Sequence, residues 1–348
     1  MERTNKPSLS QQMKRHTSTP IEKENEGNFK TVISTGSTLL DLAISGTRIH
    51  GGGIPGGILV ECFGPNGSGK TVLLCETAGD VQRKGGQATF KDPEARLNPQ
   101  FAKIFDLDVE NMTYSNPDTV NEVFKQVREW QPEGKGDVIH GVFIDSLAAL
   151  STELEMEKEA GDKMGGKRAK DFSEQLRKTC RLIKDKNWVM MCSNQVRQNM
   201  DAGPYGQKYT TPGGEAMGFY ASLRLRFVIK DKIKKEITFR GKTIERVIGV
   251  TTEVEVYKSS IDKPYRRALV TIIFDYGVDD IRENLQFYKT YTKSTTYSFN
   301  DQILGRSLEE AVRTVERSGL EKELREKVIE LWEDIESRFQ SDRKHKQR

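Results

Sequence analysis

The stretch GPNGSGKT (64–71) places Gly64, Gly67 and Gly69 ahead of Lys70 and Thr71, between the apolar runs ILVECF (58–63) and VLL (72–74). So dense a set of glycines weakens strand and helix alike, and implies a backbone path that side chains would obstruct. The pattern GxxxxGK[ST] between a strand and a helix is that of a phosphate-cradling loop. Successive N–H groups of such a loop turn inward as a nest for phosphate oxygens. The next helix directs its positive end at the same point. Gly64, Pro65, Asn66, Gly67, Ser68, Gly69, Lys70, Thr71 and Val72 are therefore assigned to nucleotide binding, with Lys70 on the β- and γ-phosphates and Thr71 on Mg²⁺. A glycine-rich turn without function is the plainer alternative, and the flanking strand and helix count against it.

Two further pieces suit the same chemistry. VFIDS (142–146) ends an apolar strand on Asp145, a carboxylate at the carboxyl edge of a sheet, where it would help hold magnesium. Strands often end in aspartate, so this assignment leans on the loop. Hydrolysis also needs a group that orients or deprotonates water. KDPEARLNP (91–99) offers Asp92 and Glu94, although a solvated acidic turn has the same composition. Asn194 and Gln195 close the run WVMMCSNQ (188–195) just before an aperiodic segment. A neutral amide there would bond a γ-phosphate and change the order of that segment.

These residues need elements to position them. VISTGSTLLDLAIS (32–45) reads as a turn and an amphipathic helix capped by Ser37 or Thr38. ILVECF reads as a buried strand, 70–83 as the helix after it, and QATFKD (87–92) as a weaker strand. Helical patterns come next around 99–107 and 119–130, then the strand VIHGVFID (138–145), a charged segment 153–170, a helix 171–186 and the strand WVMMCSNQ. Alternating strands and helices imply a mostly parallel sheet covered on both faces. Residues 196–214 show no period, and SLRLRFVIK, VIGVTTEVEVYK and RRALVTIIFDYG read as three antiparallel edge strands. Beyond about residue 280, Leu320, Leu324, Val328, Leu331, Trp332, Ile335 and Phe339 recur at helical spacing, which packing of a small C-terminal domain suffices to explain. The expected division is an arm over 1–31, a core over 32–280, a small α-rich domain over 281–340 and a basic disordered tail over 341–348.

The chain has 348 residues, long enough for one large domain with appendages. No run reaches the roughly 18 uncharged apolar residues of a membrane span, and the polar N-terminus lacks the apolar stretch of a secretory signal. Cys62, Cys75, Cys180 and Cys192 have no CxxC spacing and read as reduced, buried thiols of a cytoplasmic protein. A net charge of +4 neither requires nor excludes nucleic acid, because local patches matter more than totals.

Several segments together resemble the bacterial RecA recombinase family: VISTGSTLLDLAI, GGGIPGGILVECFGPNGSGKT, DPEARLNPQFAKIFDLDVENMTYSNPDT, VFIDSLAAL, SNQVRQ and TTPGGEAMGFYASLRLR. The likeness runs from about residue 32 to 280 and more weakly beyond. It implies a RecA-like P-loop α/β core and a DNA-dependent ATPase with ATP and Mg²⁺. It also implies filaments of many copies on single-stranded DNA, strand exchange into a homologous duplex, and loader or single-strand-binding proteins as further partners. Carried over, Glu94 matches the catalytic glutamate, Asp145 the magnesium-site aspartate and Gln195 the γ-phosphate-sensing glutamine, while Asn98 and Phe101 fall at adenine contacts. Phe101 replaces the usual tyrosine, keeping a ring and losing a hydroxyl.

Two segments match the family's DNA-binding loops, roughly 156–170 and 197–213. With the positions that flank them they assign Met164, Lys167, Arg168, Lys170, Arg177, Arg197, Tyr205, Lys208, Gly213 and Gly214 to DNA. Glycine-containing aperiodic loops can order on binding, cations there suit phosphates, and Tyr205 suits stacking on bases. Solvated loop cations are the plainer reading without the resemblance. Both loops look one residue longer than the usual pattern, and Gly218 stands where many members carry a lysine. Lys258 matches the first of two basic residues that cap the neighbouring subunit's nucleotide, Ser260 occupies the second, and Lys263 lies near enough in sequence to compensate. A basic tail replaces the acidic one of many members, and these departures suggest a divergent member, of phage or mobile-element type. A hexameric RecA-fold helicase and a non-catalytic, ATP-switched recombination mediator are the competing readings. The short polar N-terminus counts against the first and the glutamate against the second.

Overall fold

The computed structural model describes residues 30–97, 99–105, 107–134, 137–151, 165–198, 209–210, 214–300, 302–341 and 343. The expected N-terminal arm up to residue 29, Asn98, Met164, Tyr205, Lys208, Gly213 and most of the basic tail lie outside these residues.

Strands β1 (Val32–Ile33) and β2 (Ile54–Pro55) pair antiparallel around helix α1 (Thr38–Ser45). Ser37 caps α1 by accepting from the Leu40 N–H at 3.4 Å. The expected amphipathic character fails here, because all eight residues of α1 are buried. The sheet covers one side and the C-terminal helices the other, so Leu42 packs on Ile329 and Trp332. Asp41 therefore sits inside the fold, held by the Ser34 hydroxyl at 2.5 Å and the Thr35 N–H at 2.8 Å, with burial pushing its pKa up to about 6.

The core continues as β3 (Ile58–Gly64), α2 (Lys70–Arg83), β4 (Ala88–Lys91), α3 (Pro99–Lys103), β5 (Thr113–Ser115), α4 (Val120–Glu129), β6 (Gly141–Ile144), α5 (Gly165–Asp185) and β7 (Val189–Gln195). After these come β8 (Arg197–Gln198), β9 (Tyr209–Thr210), α6 (Gly214–Tyr220), β10 (Leu223–Phe239), β11 (Lys242–Ser259), β12 (Arg267–Ile273) and β13 (Gly277–Val278). Among the described residues nine strands form one sheet in the order β13-β12-β11-β10-β3-β7-β6-β4-β5. From β10 through β5 every pairing is parallel, and from β10 outward to β13 every pairing is antiparallel. This is an α/β sheet with a parallel centre and antiparallel edge strands, as the alternation of strands and helices implied.

Alternation explains the unbroken apolar runs. On β7, Val189 and Met191 join the core under α1 and α2, while Met190 and Cys192 join Trp188, Phe124 and Phe172 under α4 and α5. Both faces are covered, so both parities must be apolar. None of the four cysteines is paired; Cys62, Cys75 and Cys192 are buried and Cys180 partly so. No described helix is long and apolar enough to cross a membrane.

Three expectations need correcting. The strand that begins at Leu223 is not antiparallel at its base, because Leu223–Arg226 pair in parallel with Val60–Phe63 before β11 takes the other edge. Helix α5 starts at Gly165 instead of 171, so Lys167, Arg168 and Lys170 stand on helix and not in a loop. The aperiodic segment contains a small hairpin, with Arg197 opposite Thr210 and Gln198 opposite Tyr209.

The C-terminal region is less purely helical than expected. A hairpin of β14 (Tyr297–Phe299) and β15 (Gln302–Gly305) separates α7 (Asp280–Thr292) from α8 (Leu308–Ser318) and α9 (Glu321–Ser337). Helix α9 is clamped to the glycine-rich turn by His50, whose Nε2 lies 3.0 Å from Glu326 and Nδ1 2.9 Å from Glu333. The Glu326 contact does most to raise the His50 pKa above its ordinary value; desolvation acts against it, and the Glu333 carboxylate adds to the rise. A raised folded value means that this clamp stabilises fully below the unfolded value and fades as pH rises through the folded one. Between about pH 6 and pH 8 the melting temperature of the wild type is thus expected to fall more than that of His50→Ala. Equal slopes in the two proteins would show that the clamp carries no proton linkage.

Candidate nucleotide-binding and hydrolysis site

The carboxyl ends of β3, β6 and β7 converge with the 92–97 turn and the edge strands around a cavity of about 350 Å³. Asn66 through Val72 line its floor, with Glu94, Phe101, Asp145 and Gln195 among the walls. Gly69 has φ +88°, and a Cβ there would also collide with Ile272 Cδ1. At Gly64 a Cβ would lie 2.7 Å from the Phe227 carbonyl oxygen. The loop is thus glycine where the chain turns left-handed or brushes the sheet. Its Lys70 ammonium donates to the Gly64 and Pro65 carbonyls at 3.0 and 2.7 Å. Burial lowers its pKa, while the Asp145, Cys62 and Glu94 side chains act to raise it.

Asp145 accepts from the Thr71 hydroxyl at 2.5 Å and from the Ser193 hydroxyl. Burial pushes its pKa up, these two hydrogen bonds pull it down, and Glu94 and Asp92 raise it again. Among the described residues no cluster of three or more His, Cys, Asp or Glu could hold a metal. Thr71 and Asp145 nevertheless fit Mg²⁺, which takes few protein oxygens and fills its octahedron with phosphate and water.

The structure separates the two acids of the 92–97 turn. Asp92 Oδ2 accepts from the Arg96 N–H at 2.8 Å, the Leu97 N–H at 2.7 Å and the Tyr114 hydroxyl at 2.9 Å, so this carboxylate organises the turn. Glu94 lines the cavity, accepting from Ser146 at 2.7 Å and pairing with Arg96 at 2.6 Å. The two amides at the end of β7 separate likewise. Asn194 is buried and donates to Glu61 at 2.9 Å, and Glu61 accepts from Arg224 at 2.6 Å. Only Gln195 of the pair lines the cavity.

Phe101 packs edge-on against Phe105, with Ile104 and Gly277 nearby on the wall that an adenine would need. Lys258 stands outside this cavity, with its ammonium on the Gly218 and Phe219 carbonyls at 2.8 and 3.1 Å. Lys263 lies 4.0 Å from Glu336. Of the residues expected on DNA, Lys170 and Arg177 are exposed on α5, Arg197 is on β8 and Gly214 starts α6. Arg96, Phe105, Ser146 and Ser193 also line the cavity and were missed. Ser146 and Ser193 stand directly beside residues already singled out, but nothing local distinguishes their hydroxyls from ordinary strand-end serines.

A family model, the RecA N-terminal domain, matches residues 8–279. The chain is 34% identical over 312 residues to Protein RecA of Thermus thermophilus, covering 87% of this chain and 86% of that protein. Against Protein RecA of Clostridioides difficile the identity is 34% over 304 residues, covering 85% and 82%. Protein RecA of Treponema denticola is 33% identical over 312 residues, covering 87% of this chain and 71% of its own length.

Proposed function

The chain belongs to the RecA family, and from that premise we propose that it is a DNA-dependent ATPase that forms filaments on single-stranded DNA and exchanges that strand into a homologous duplex. The observation that carries this is the approach of Glu94, Asp145, Lys70 and Gln195 to one cavity, with Gln195 ending β7 two residues before β8 begins.

Each side chain has a role that its surroundings suit. The loop amides and Lys70 hold the triphosphate, and Lys70 exchanges the Gly64 and Pro65 carbonyls for phosphate oxygens. Bound Mg²⁺ would supply charge neutralisation on the phosphates, held through Thr71 and Asp145. Glu94 is the base that orients and deprotonates water, with Ser146 fixing one of its oxygens. Phe101 offers a ring face to the adenine. Gln195 bonds the γ-phosphate. Behind it, the Asn194–Glu61–Arg224 network ties β7 to β3 and β10. With its rear anchored, a shift at Gln195 passes forward into 197–213, where Arg197, Tyr205, Lys208, Gly213 and Gly214 are assigned to DNA. Met164, Lys167, Arg168, Lys170 and Arg177 form the second DNA-facing set. Lys258 caps the nucleotide of an adjacent copy, and the neighbouring Phe219, 76% exposed, supplies an apolar contact for that copy.

Electron microscopy with single-stranded DNA and a non-hydrolysable ATP analogue tests the assembly. Helical filaments are expected; closed rings, or no assembly, would reject it. The relay is tested with Gln195→Ala. That variant is expected to bind ATP as the wild type does, while stimulation of hydrolysis by single-stranded DNA falls ~10-fold or more, within the 5–150-fold range of ordinary site-to-site coupling. Full stimulation in the variant would remove Gln195 from the relay.

A further inference from the structure

Strand β10 leaves β3 after the Arg226–Phe63 pairing, and β11 meets β12 only from Gly249 onward. Residues 234–239 and 242–247 therefore pair with each other alone, as a two-stranded ribbon projecting from the sheet. Arg240 and Gly241 make the turn at φ +49° and +75°, the two left-handed positions of a two-residue hairpin that matches strand twist.

The register sorts the side chains. Directly opposed residues share a face, so Lys235 with Arg246, Ile237 with Ile244 and Phe239 with Lys242 form one side. Arg240 joins them, its guanidinium 5.2 Å from the Phe239 ring centre. This side carries four cations, three apolar side chains and no acid. Among the described residues no carboxylate pairs with any of these cations. The opposite side is different: Lys234 is neutralised by Glu245 at 2.9 Å, with Glu236, Thr238 and Thr243 beside it. Ile237 and Phe239 are 50% and 55% exposed.

From this asymmetry we infer that the 234–247 ribbon is an accessory arm that binds duplex DNA through its cationic face, separate from the nucleotide-coupled segments. The identity of the polyanion rests on the DNA-acting reading above. A two-stranded ribbon fits the roughly 12 Å wide major groove. The Lys235/Arg246 and Phe239/Lys242 pairs stand four residues apart, about 13 Å along the strands, so cations reach both phosphate walls while Ile237 and Ile244 face the base edges. Unpaired cations release counterions on binding, whereas the compensated face would not.

The full-length chain, without nucleotide, is titrated with fluorescent duplex DNA over a range of salt. Lys235→Gln/Lys242→Gln/Arg246→Gln is compared with the wild type and with Lys103→Gln/Lys125→Gln/Lys186→Gln, which loses the same charge at exposed positions elsewhere. The ribbon variant is expected to bind ~10- to 100-fold more weakly, with a log–log salt slope shallower by about 2–3. The control is expected to stay near the wild type. An equal loss in both variants, or unchanged affinity in the ribbon variant, overturns the inference. Loss of binding to poly-glutamate at unchanged duplex affinity also overturns it, and would assign the face to an acidic protein. Single-strand-stimulated ATP hydrolysis, measured on the same samples, separates the outcomes: its absence in the wild type rejects the proposed function, and its presence with an unaffected ribbon variant rejects only the arm.

Discussion

Lys70→Ala is expected to abolish measurable ATP hydrolysis and to remove nucleotide-dependent DNA pairing with it. The ammonium is buried at the base of the phosphate loop and already makes two hydrogen bonds to loop carbonyls. A triphosphate offers it charged acceptors in the same place, where a charge-assisted bond contributes about 1.5–3 kcal/mol. Loss of one preorganised donor typically costs about 10²–10³ in rate, and Lys70 would serve two phosphates. Truncation also leaves the Gly64 and Pro65 carbonyls without this donor, so some loss of stability is expected as well. Single-turnover hydrolysis, binding of a fluorescent nucleotide and a melting curve separate these effects. Strand exchange by a folded Lys70→Ala protein at the wild-type rate would refute the phosphate grip on which the mechanism depends.

Glu94→Gln is expected to behave differently, keeping nucleotide binding while hydrolysis falls about 10²–10⁴-fold, the usual contribution of a positioned base. Gln preserves the size of the side chain and an acceptor for the Ser146 hydroxyl, 2.7 Å away. What disappears is the charge that Arg96 holds at 2.6 Å and the ability to take a proton from water. Because Gln195 is proposed to pass the state of the γ-phosphate to the DNA-assigned 197–213 segment, a variant that keeps the triphosphate uncleaved should also stay on single strands longer. Asp92→Asn is the discriminating companion. It weakens two hydrogen bonds inside the turn and a third from Tyr114 on β5, so a lower melting temperature is its expected signature, with hydrolysis retained at temperatures where the protein is folded. Hydrolysis lost in Asp92→Asn but intact in Glu94→Gln would reverse the assignment of the two acids.

Local chemistry was legible in the linear chain. GxxxxGK[ST] carries its own explanation, because contiguous N–H groups make the nest and the next residues start the helix, with Lys70 observed as the first residue of α2. The alternation of apolar strands with helices sets the parallel core, and Asp145 stands just beyond β6, at its carboxyl end. Helix ends were less legible. The basic residues Lys167, Arg168 and Lys170 read as loop, yet they lie on α5, since nothing local marks Gly165 as a starting point. The length of the β10–β11 ribbon was also hidden, because its tip alternates charge and apolarity without a core to impose the pattern.

By itself, the sequence determined that a phosphate loop, a strand-end aspartate, an acidic turn and a strand-end amide pair exist in one α/β chain. Read residue by residue, the acids Asp92 and Glu94 and the amides Asn194 and Gln195 stood level, with only the family resemblance favouring Glu94 and Gln195; the tertiary structure puts those two on the cavity wall. Asp92 and Asn194 are taken up by hydrogen bonds within the fold, to the turn's own N–H groups in one case and to Glu61 across the sheet in the other. Adjacent side chains on a strand point in opposite directions, which turns Asn194 away from Gln195 and toward Glu61; in the acidic turn the chain folds back so that its own N–H groups occupy Asp92 and leave Glu94 on the cavity wall.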